Sequence, residues 1–472
     1  MTFYFYDLET SGISPRRDRI MQFAGQRTDM NLKPIGEPDN FLIKMTPDVL
    51  PQPEAILITG ITPQKTVSEG ISEAEAIKYL TSQVFTPDTI AVGFNNIRFD
   101  DEFVRFMSWR NFTDAYEWQW KDGRSKWDLL DVVRMMRALR PDGIKWPFAS
   151  DGKPTNRLSF LTELNKLEHA SAHDALSDVV AAIELAKLIR GKQPKLFDYL
   201  LNMRSKQKVA ALVDTNQPFI YTSGRYPSEF LHTSVVIKLA DHPDRGGAAI
   251  VYDLRVNPKD LLDLSPKELS DKWSAYGKDT PYFPVKMLAY NRCPAVAPLN
   301  TLDAKSAERL KISKTKIEAN LKLLSQDFVK KLVEAANLMK KAQQAELVSD
   351  PLTVDEQLYD GFVSDGDRVK MSALRAADST NIGKFDLEFG DKRLSNLLPL
   401  YKARNFPKVL TEQEQEVWEK FRAQRLLHGG QKGALAEYFA RIEELIAGQR
   451  QKDVDKYVLE ELRLYGESIA PS

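Results

Sequence analysis

The chain has one cysteine, Cys293, which leaves no partner for an internal disulfide and suits a reducing compartment. No stretch approaches about 18 consecutive apolar residues, so the sequence predicts no helical membrane span. A secretory signal is not expected either. Phe3-Tyr4-Phe5-Tyr6 is apolar, but acidic residues follow at once and no basic segment precedes it. Together these absences predict a cytoplasmic protein. Net charge is also missing: 66 Lys+Arg balance 66 Asp+Glu, so no global field draws polyanions. If the protein binds nucleic acid, its positive charge must be segregated. No internal repeat or low-complexity tract interrupts the chain. What remains is an ordinary globular balance, 43% hydrophobic and 28% charged. At about 150 residues per domain, 472 residues predict roughly three domains.

Residues 1–190 alternate between strand and helix patterns, which predicts an α/β layer fold. Strands are expected at Phe3 to Asp7, Ile20 to Arg27, Phe41 to Met45 and Thr89 to Phe94. Helices are expected at Ser72 to Val84, Asp100 to Arg110, Asp128 to Arg140, Leu158 to Leu167 and Asp174 to Arg190. Gly191-Lys192-Gln193-Pro194 breaks the last helix and marks a first boundary. Residues 195–348 form a second domain. It begins with short strands, among them Ala248 to Leu254 and Pro284 to Tyr290, and turns helical from 303 to 346. Between Lys305 and Lys341, ten Lys/Arg face four Asp/Glu, a net of +6. Ser349-Asp350-Pro351 gives the second boundary, and residues 352–472 read as all-α.

The first strand delivers Asp7-Leu8-Glu9-Thr10. Residues two apart on a strand share a face, so Asp7 and Glu9 point at one site. Two carboxylates at a strand end, followed by Ser11-Gly12, suit hard cations such as Mg²⁺ or Mn²⁺. An acidic turn after a strand is the alternative. Gly93-Phe94-Asn95-Asn96 closes a later strand, and Phe99-Asp100-Asp101 opens a helix whose dipole alone would favour either acid. Further on, Ala172-His173-Asp174-Ala175-Leu176-Ser177-Asp178 enters another helix, with His173 on the loop and Asp174 a candidate cap.

In order, these pieces spell Asp-x-Glu, Asn-x-x-Phe-Asp and His-x-x-x-x-Asp. That pattern resembles the histidine branch of the DEDD superfamily of 3′→5′ exonucleases. The resemblance implies Asp7, Glu9, Asp100 and Asp178 as catalytic carboxylates around two divalent ions, Mg²⁺ with Mn²⁺ able to substitute. Asp7, Glu9 and Asp178 are the expected direct ligands, and His173 is the expected general base. Other stretches resemble the bacterial exonuclease I family: Leu50-Pro51-Gln52-Pro53 with Ile58 to Pro63, Gly93 to Asp101, Trp127 to Asp131, Gln357 to Phe362, and Tyr401 to Pro407. Leu8 departs from the Tyr common there. Family membership implies a ribonuclease H-like exonuclease domain, a Src-homology-3-like β-barrel domain with inserted helices, and an all-α C-terminal domain. The implied function is 3′→5′ degradation of single-stranded DNA to 5′-mononucleotides, by a monomer, in DNA repair and recombination. An RNA-trimming exoribonuclease shares the same metal core and is the nearest alternative. A strand-binding protein on a dead nuclease fold is another, although all five core residues are present.

Five of the seven tryptophans fall between Trp109 and Trp146, and Arg105 to Lys145, which spans four of them, has a net charge of +3. Interleaved rings and cations suit a single strand, whose bases stack and whose phosphates need charge. Trp109, Trp118 and Trp127 can equally be core anchors. The resemblance favours Glu9, Arg105, Tyr116, Trp120 and Arg134 as strand contacts, with Arg157 and the Gly60 loop near the terminal nucleotide. It also implies that Arg140 and Tyr199 receive the C-terminal tail of single-strand-binding protein. Tyr359, Asp360, Asp365, Asp367 and Arg368 read as a salt-bridged turn rather than a second metal site.

Overall fold

The computed structural model describes residues 1–168, 174–275, 280–349, 352–384, 387–448 and 453–471. The chain forms two compact units: 1–125 with 170–180 and 352–472, and 126–169 with 181–351. Among the described residues no helix is long and apolar enough to cross a membrane.

The first unit is built on β1 (Thr2–Thr10), β2 (Ile20–Thr28), β3 (Asp39–Leu42) and β4 (Thr89–Gly93), in the order β3-β2-β1-β4. β1 pairs antiparallel with β2 and parallel with β4, Phe5 lying opposite Val92. Its aromatic run suits this central place, because both faces of the strand are covered. Tyr6 stacks on Phe23 at 6.0 Å and meets Phe85 edge-on at 5.9 Å. The helices Asp365–Ala376, Lys392–Asn405, Glu412–Leu427, Ala434–Ala447 and Asp453–Ser468 belong to the same unit. Ile56 and Ile61 share a core with Leu459, Leu462 and Tyr465, which seats the last helix on the segment after β3.

Strand β5 (Ser125–Asp128) crosses into the second unit. There β6 (Phe219–Thr222), β7 (Thr233–Asp241), β8 (Ala248–Asp253), β9 (Val285–Ala289) and β10 (Ala295–Pro298) form an antiparallel sheet, β10-β6-β7-β8-β9. One face buries Val235, Ile237, Ile250 and Tyr252 against Phe328 and Leu332 of the long helix Gln326–Ser349. The other buries Val236, Ala249 and Val251 with Val209 and Val213. The helix Pro266–Ala275 is inserted between β8 and β9.

Two local expectations change. The Gly60 loop opens from a short helix, Pro53–Thr59: Pro53 starts it and Gly60 closes it in the left-handed region at φ 69°. The helix from Ala175 runs through Gly191 to Lys192, and only Gln193 separates it from the next, Pro194–Asn202.

A buried ion network ties the first unit together. Arg404 donates to Asp48 at 2.8 Å and to Asp355 at 2.7 Å; Arg19 and Arg425 reach the same two carboxylates, while Arg110 binds Glu73 at 2.6 Å. Burial alone raises the Asp48 and Asp355 carboxyls, but Arg404, Arg19 and Arg425 outweigh it and hold both well below the carboxylate range. Both groups therefore titrate lower in the folded than in the unfolded chain. Their stabilisation is complete above about pH 4 and is lost as pH falls through the folded values. Asp355→Asn strands buried guanidinium charge and should cost about 3–5 kcal/mol at pH 7, with a shallower acid dependence. Urea unfolding at pH 7 and pH 3.5 measures both; an unchanged midpoint would remove the network from any stabilising role.

Candidate active site

Three carboxylates converge at the C-terminal end of β1. Asp7, Glu9 and Asp178 each offer an oxygen, and these oxygens lie within 4.8 Å of one another. The strand alternation puts Asp7 and Glu9 on one face while Leu8, between them, is buried on the other. The β1–β2 register shifts between Glu9 and Thr10, an irregularity of the kind that re-aims side chains at strand ends. Asp178 enters from the first turn of the helix Ala175–Lys192. Asp174 caps that helix, accepting from the Ser177 amide at 3.1 Å.

The two neighbouring acids at the start of the helix Asp100–Arg110 differ in their surroundings. Asp101 is fully buried and accepts from the Tyr6 hydroxyl at 2.6 Å, Asn96 at 3.2 Å and Gln119 at 2.7 Å. Asp101 is thus a structural acceptor. Asp100, its buried neighbour, lies outside the 4.8 Å group, yet its charge acts on Asp7 more strongly than that of Asp178 or Asp174. Gly93 makes room for this corner: a Cβ there would come within 2.6 Å of the Asn96 Cβ.

The electrostatics of the cluster are those of crowded carboxylates. Burial, then Asp100, Asp178 and Asp174, push the Asp7 carboxyl far up. Burial, then Asp7, Asp178 and Asp174, push Glu9 up to about 9. Oxygen donors crowded at this spacing fit a hard divalent ion, which needs several anionic oxygens at short range. Among the described residues this is the one acidic or His/Cys group with such geometry.

Arg105 and Tyr116 sit close by on the same unit, but Arg105 is pinned rather than projecting. It is 9% exposed, bonds Glu102 at 2.7 Å and Gln119, and lies 5.5 Å over the Tyr116 ring. Trp109, Trp118 and Trp127 are core, at 2%, 4% and 1% exposure, whereas Trp120 is 64% exposed. Gly60 has open space around it. Arg134, Arg140, Arg157 and Tyr199 lie in the second unit: Arg134 pairs with Asp131 at 2.6 Å, and Arg157 is exposed. His173 falls outside the described residues. In the C-terminal turn, Asp367 accepts from the Gly390 and Asp391 amides, and Arg368 pairs with Asp114 at 3.5 Å. The links from Gln119 to Asp101 and from Tyr359 to Glu102 went unread in the sequence. No local motif signals either pair, whose partners lie 18 and 257 positions apart.

Comparison with known proteins agrees with this arrangement. Residues 4–186 match the family described as Exonuclease, 204–337 the Exonuclease I SH3-like domain, and 352–469 the Exonuclease I C-terminal domain. Exodeoxyribonuclease I of Escherichia coli strain K12 is 43% identical over 432 residues, covering 90% of this chain and 89% of its own. The solved E. coli exonuclease I in complex with a dA16 oligonucleotide superposes with a TM-score of 0.91 at 40% identity, over 99% of this chain and 100% of that one. A solved SSB/exonuclease I complex with the inhibitor CFAM gives 0.89 at 38% identity, over 99% of both chains. With a DEDD-type carboxylate cluster on β1 and matches across all three regions, the chain belongs to the exonuclease I family.

Proposed function

We infer that this protein is a 3′→5′ exodeoxyribonuclease that hydrolyses single-stranded DNA from its 3′ end. The observation that carries the reading is the convergence of Asp7, Glu9 and Asp178 within 4.8 Å, in a chain 43% identical to an exodeoxyribonuclease I. Asp7, Glu9 and Asp178 hold divalent metal, and Asp100 adds negative charge beside them. Mg²⁺ is the proposed native ion, two per site, with Mn²⁺ as a substitute. When bound, the metal supplies Lewis acidity toward a phosphodiester and lowers the pKa of water. His173 takes a proton from the attacking water. Around this centre the buried Tyr6–Asp101–Gln119 chain fixes the start of the helix Asp100–Arg110, and Gln119 also anchors Arg105.

The same reading assigns Tyr116 and Trp120 to base stacking, and Arg105, Arg134 and Arg157 to the strand backbone, with Gly60 leaving its loop open to the terminal nucleotide. The release of 5′-mononucleotides, the part in repair and recombination, a monomeric state, a cytoplasmic location and the boundaries 1–190, 195–348 and 352–472 belong to it too. The solved SSB complex of a relative supports docking of the single-strand-binding-protein tail, with Arg140 and Tyr199 as the proposed receivers. Arg140 is half-exposed and pairs with Asp303 at 3.2 Å, so an incoming carboxylate competes with Asp303.

Degradation of DNA and RNA single strands, with Mg²⁺ or with EDTA, tests the reading. DNA should be cleaved and RNA spared, and EDTA should stop cleavage. Faster trimming of RNA would favour the exoribonuclease alternative, and metal-independent binding without cleavage the dead-fold one. Asp7→Asn, Glu9→Gln and Asp178→Asn should each nearly abolish cleavage while retaining strand binding; an active, folded variant would contradict the assignment. His173→Ala should slow single-turnover cleavage by about two to four decades at pH 7, and an unchanged rate would make His173 a helix-entry residue only. Tyr116→Ala and Trp120→Ala should weaken long-strand binding by ~1–3 kcal/mol each. Fluorescence-anisotropy titration reads this, and equal affinities would remove both rings from the strand path.

A further inference from the structure

The second unit holds a cavity of about 260 Å³ whose lining includes Phe230, Ser234, Arg255, Lys311 and Lys316. Three lining residues are cationic and none is acidic. Arg255 lies 3.8 Å over the Phe230 ring, and its Nη2 donates to the Thr233 carbonyl at 2.7 Å. Its Nε and Nη1 are buried and have no hydrogen-bond partner. Asp253, the neighbouring acid in sequence, is already engaged: it accepts from Ser234, from Tyr282 at 2.7 Å and from the Arg255 amide at 3.0 Å. Lys311 lies 5.9 Å from the same Phe230 ring.

Buried donors of a charged group left without acceptors are costly. An anion entering the cavity relieves that cost. Its shape can be bounded. Asp253 and Glu229 offset part of the Arg255 charge but do not bond its Nε and Nη1, so the ligand must bring acceptor oxygens, and a guanidinium fork matches phosphate oxygens well. A carboxylate offers one charge and two oxygens in a plane. At ~30 Å³ per water the cavity has the volume of about eight waters, room for a phosphate group and part of its hydration.

We propose that this cavity binds a phosphate group, held by Arg255, Lys311 and Lys316, and carried either by a free monoester such as a 5′-mononucleotide or by the backbone of single-stranded DNA. The site shares no residue with the carboxylate cluster and needs no metal. Calorimetric titration of the full chain in EDTA, at low ionic strength and without phosphate buffer, tests it with three probes: inorganic phosphate, thymidine 5′-monophosphate and a dT12 oligonucleotide. Lys311→Ala/Lys316→Ala removes two exposed side chains and should weaken at least one probe about tenfold; Arg255→Gln should do the same. The lysine pair keeps the test open should Arg255→Gln fail to fold once its stack on Phe230 is lost. A tenfold loss for inorganic phosphate and the monophosphate assigns a monoester site. A loss confined to dT12, with a smaller dependence of affinity on salt, assigns the DNA backbone. Unchanged affinity for all three probes in the lysine variant overturns the proposal, as does acetate or a tetraglutamate peptide binding the wild type more tightly than phosphate does.

Discussion

Carboxylates packed within a few ångströms of one another and partly withdrawn from water cannot all remain charged unless something positive joins them. That constraint governs the end of β1. Asp7 and Glu9 are forced there by strand alternation, and Asp178 by the capped start of its helix. Elsewhere in the same unit the protein meets a related difficulty differently. Asp48, Glu73 and Asp355 are buried, but four arginines, Arg19, Arg110, Arg404 and Arg425, neutralise them. One acidic group is saturated by the chain itself, and the other is left to an ion from solution. The contrast separates a cluster that holds structure from one that does chemistry.

The saturated cluster has its own bearing on the site. Arg19 leads into β2, Glu73 opens the helix beside it, and Asp355, Arg404 and Arg425 come from the C-terminal segment. The C-terminal segment, residues 352–472, is thereby locked to the sheet that carries Asp7 and Glu9. Tyr359 adds a second tie, donating to Glu102 two residues after Asp100, and Phe106 packs edge-on against its ring at 5.7 Å. The C-terminal helices are in this sense part of the frame of the carboxylate site.

Much of the candidate site was legible because its parts are local. Asp-x-Glu on an aromatic strand needs no tertiary information, and the cap Asp174 followed by Asp178 is read from helix-start chemistry. Asp100 was picked out over Asp101 by the motif resemblance alone; helix-start chemistry does not distinguish them, and the contacts of Asp101 with Tyr6, Asn96 and Gln119 are tertiary. The arginine network was invisible for the same reason: Arg19 and Asp355 are 336 positions apart. The helix Asp100–Arg110 was expected with the bounds it has, helped by acids at its start. By contrast, β6 and β10 are four residues each, and Pro298 ends the latter, so no alternation pattern could develop. At Ile58-Thr59-Gly60, read only as a loop, Pro53 and Gly60 were the signals of a short helix.

At the centre is the proposal that a divalent cation held by Asp7, Glu9 and Asp178 displaces the protons that the raised Asp7 and Glu9 carboxyls carry. Titrating Mn²⁺ or Mg²⁺ calorimetrically into metal-free protein at pH 7.5, in buffers of different ionisation enthalpy, measures the ion binding and the protons it displaces together. With Glu9 pushed up to about 9 and Asp7 raised as well, binding should release roughly one to two protons, and Glu9→Gln should lower both the release and the affinity. Absence of cation binding in the wild type, or binding of equal strength in Asp7→Asn with no protons released, would contradict it.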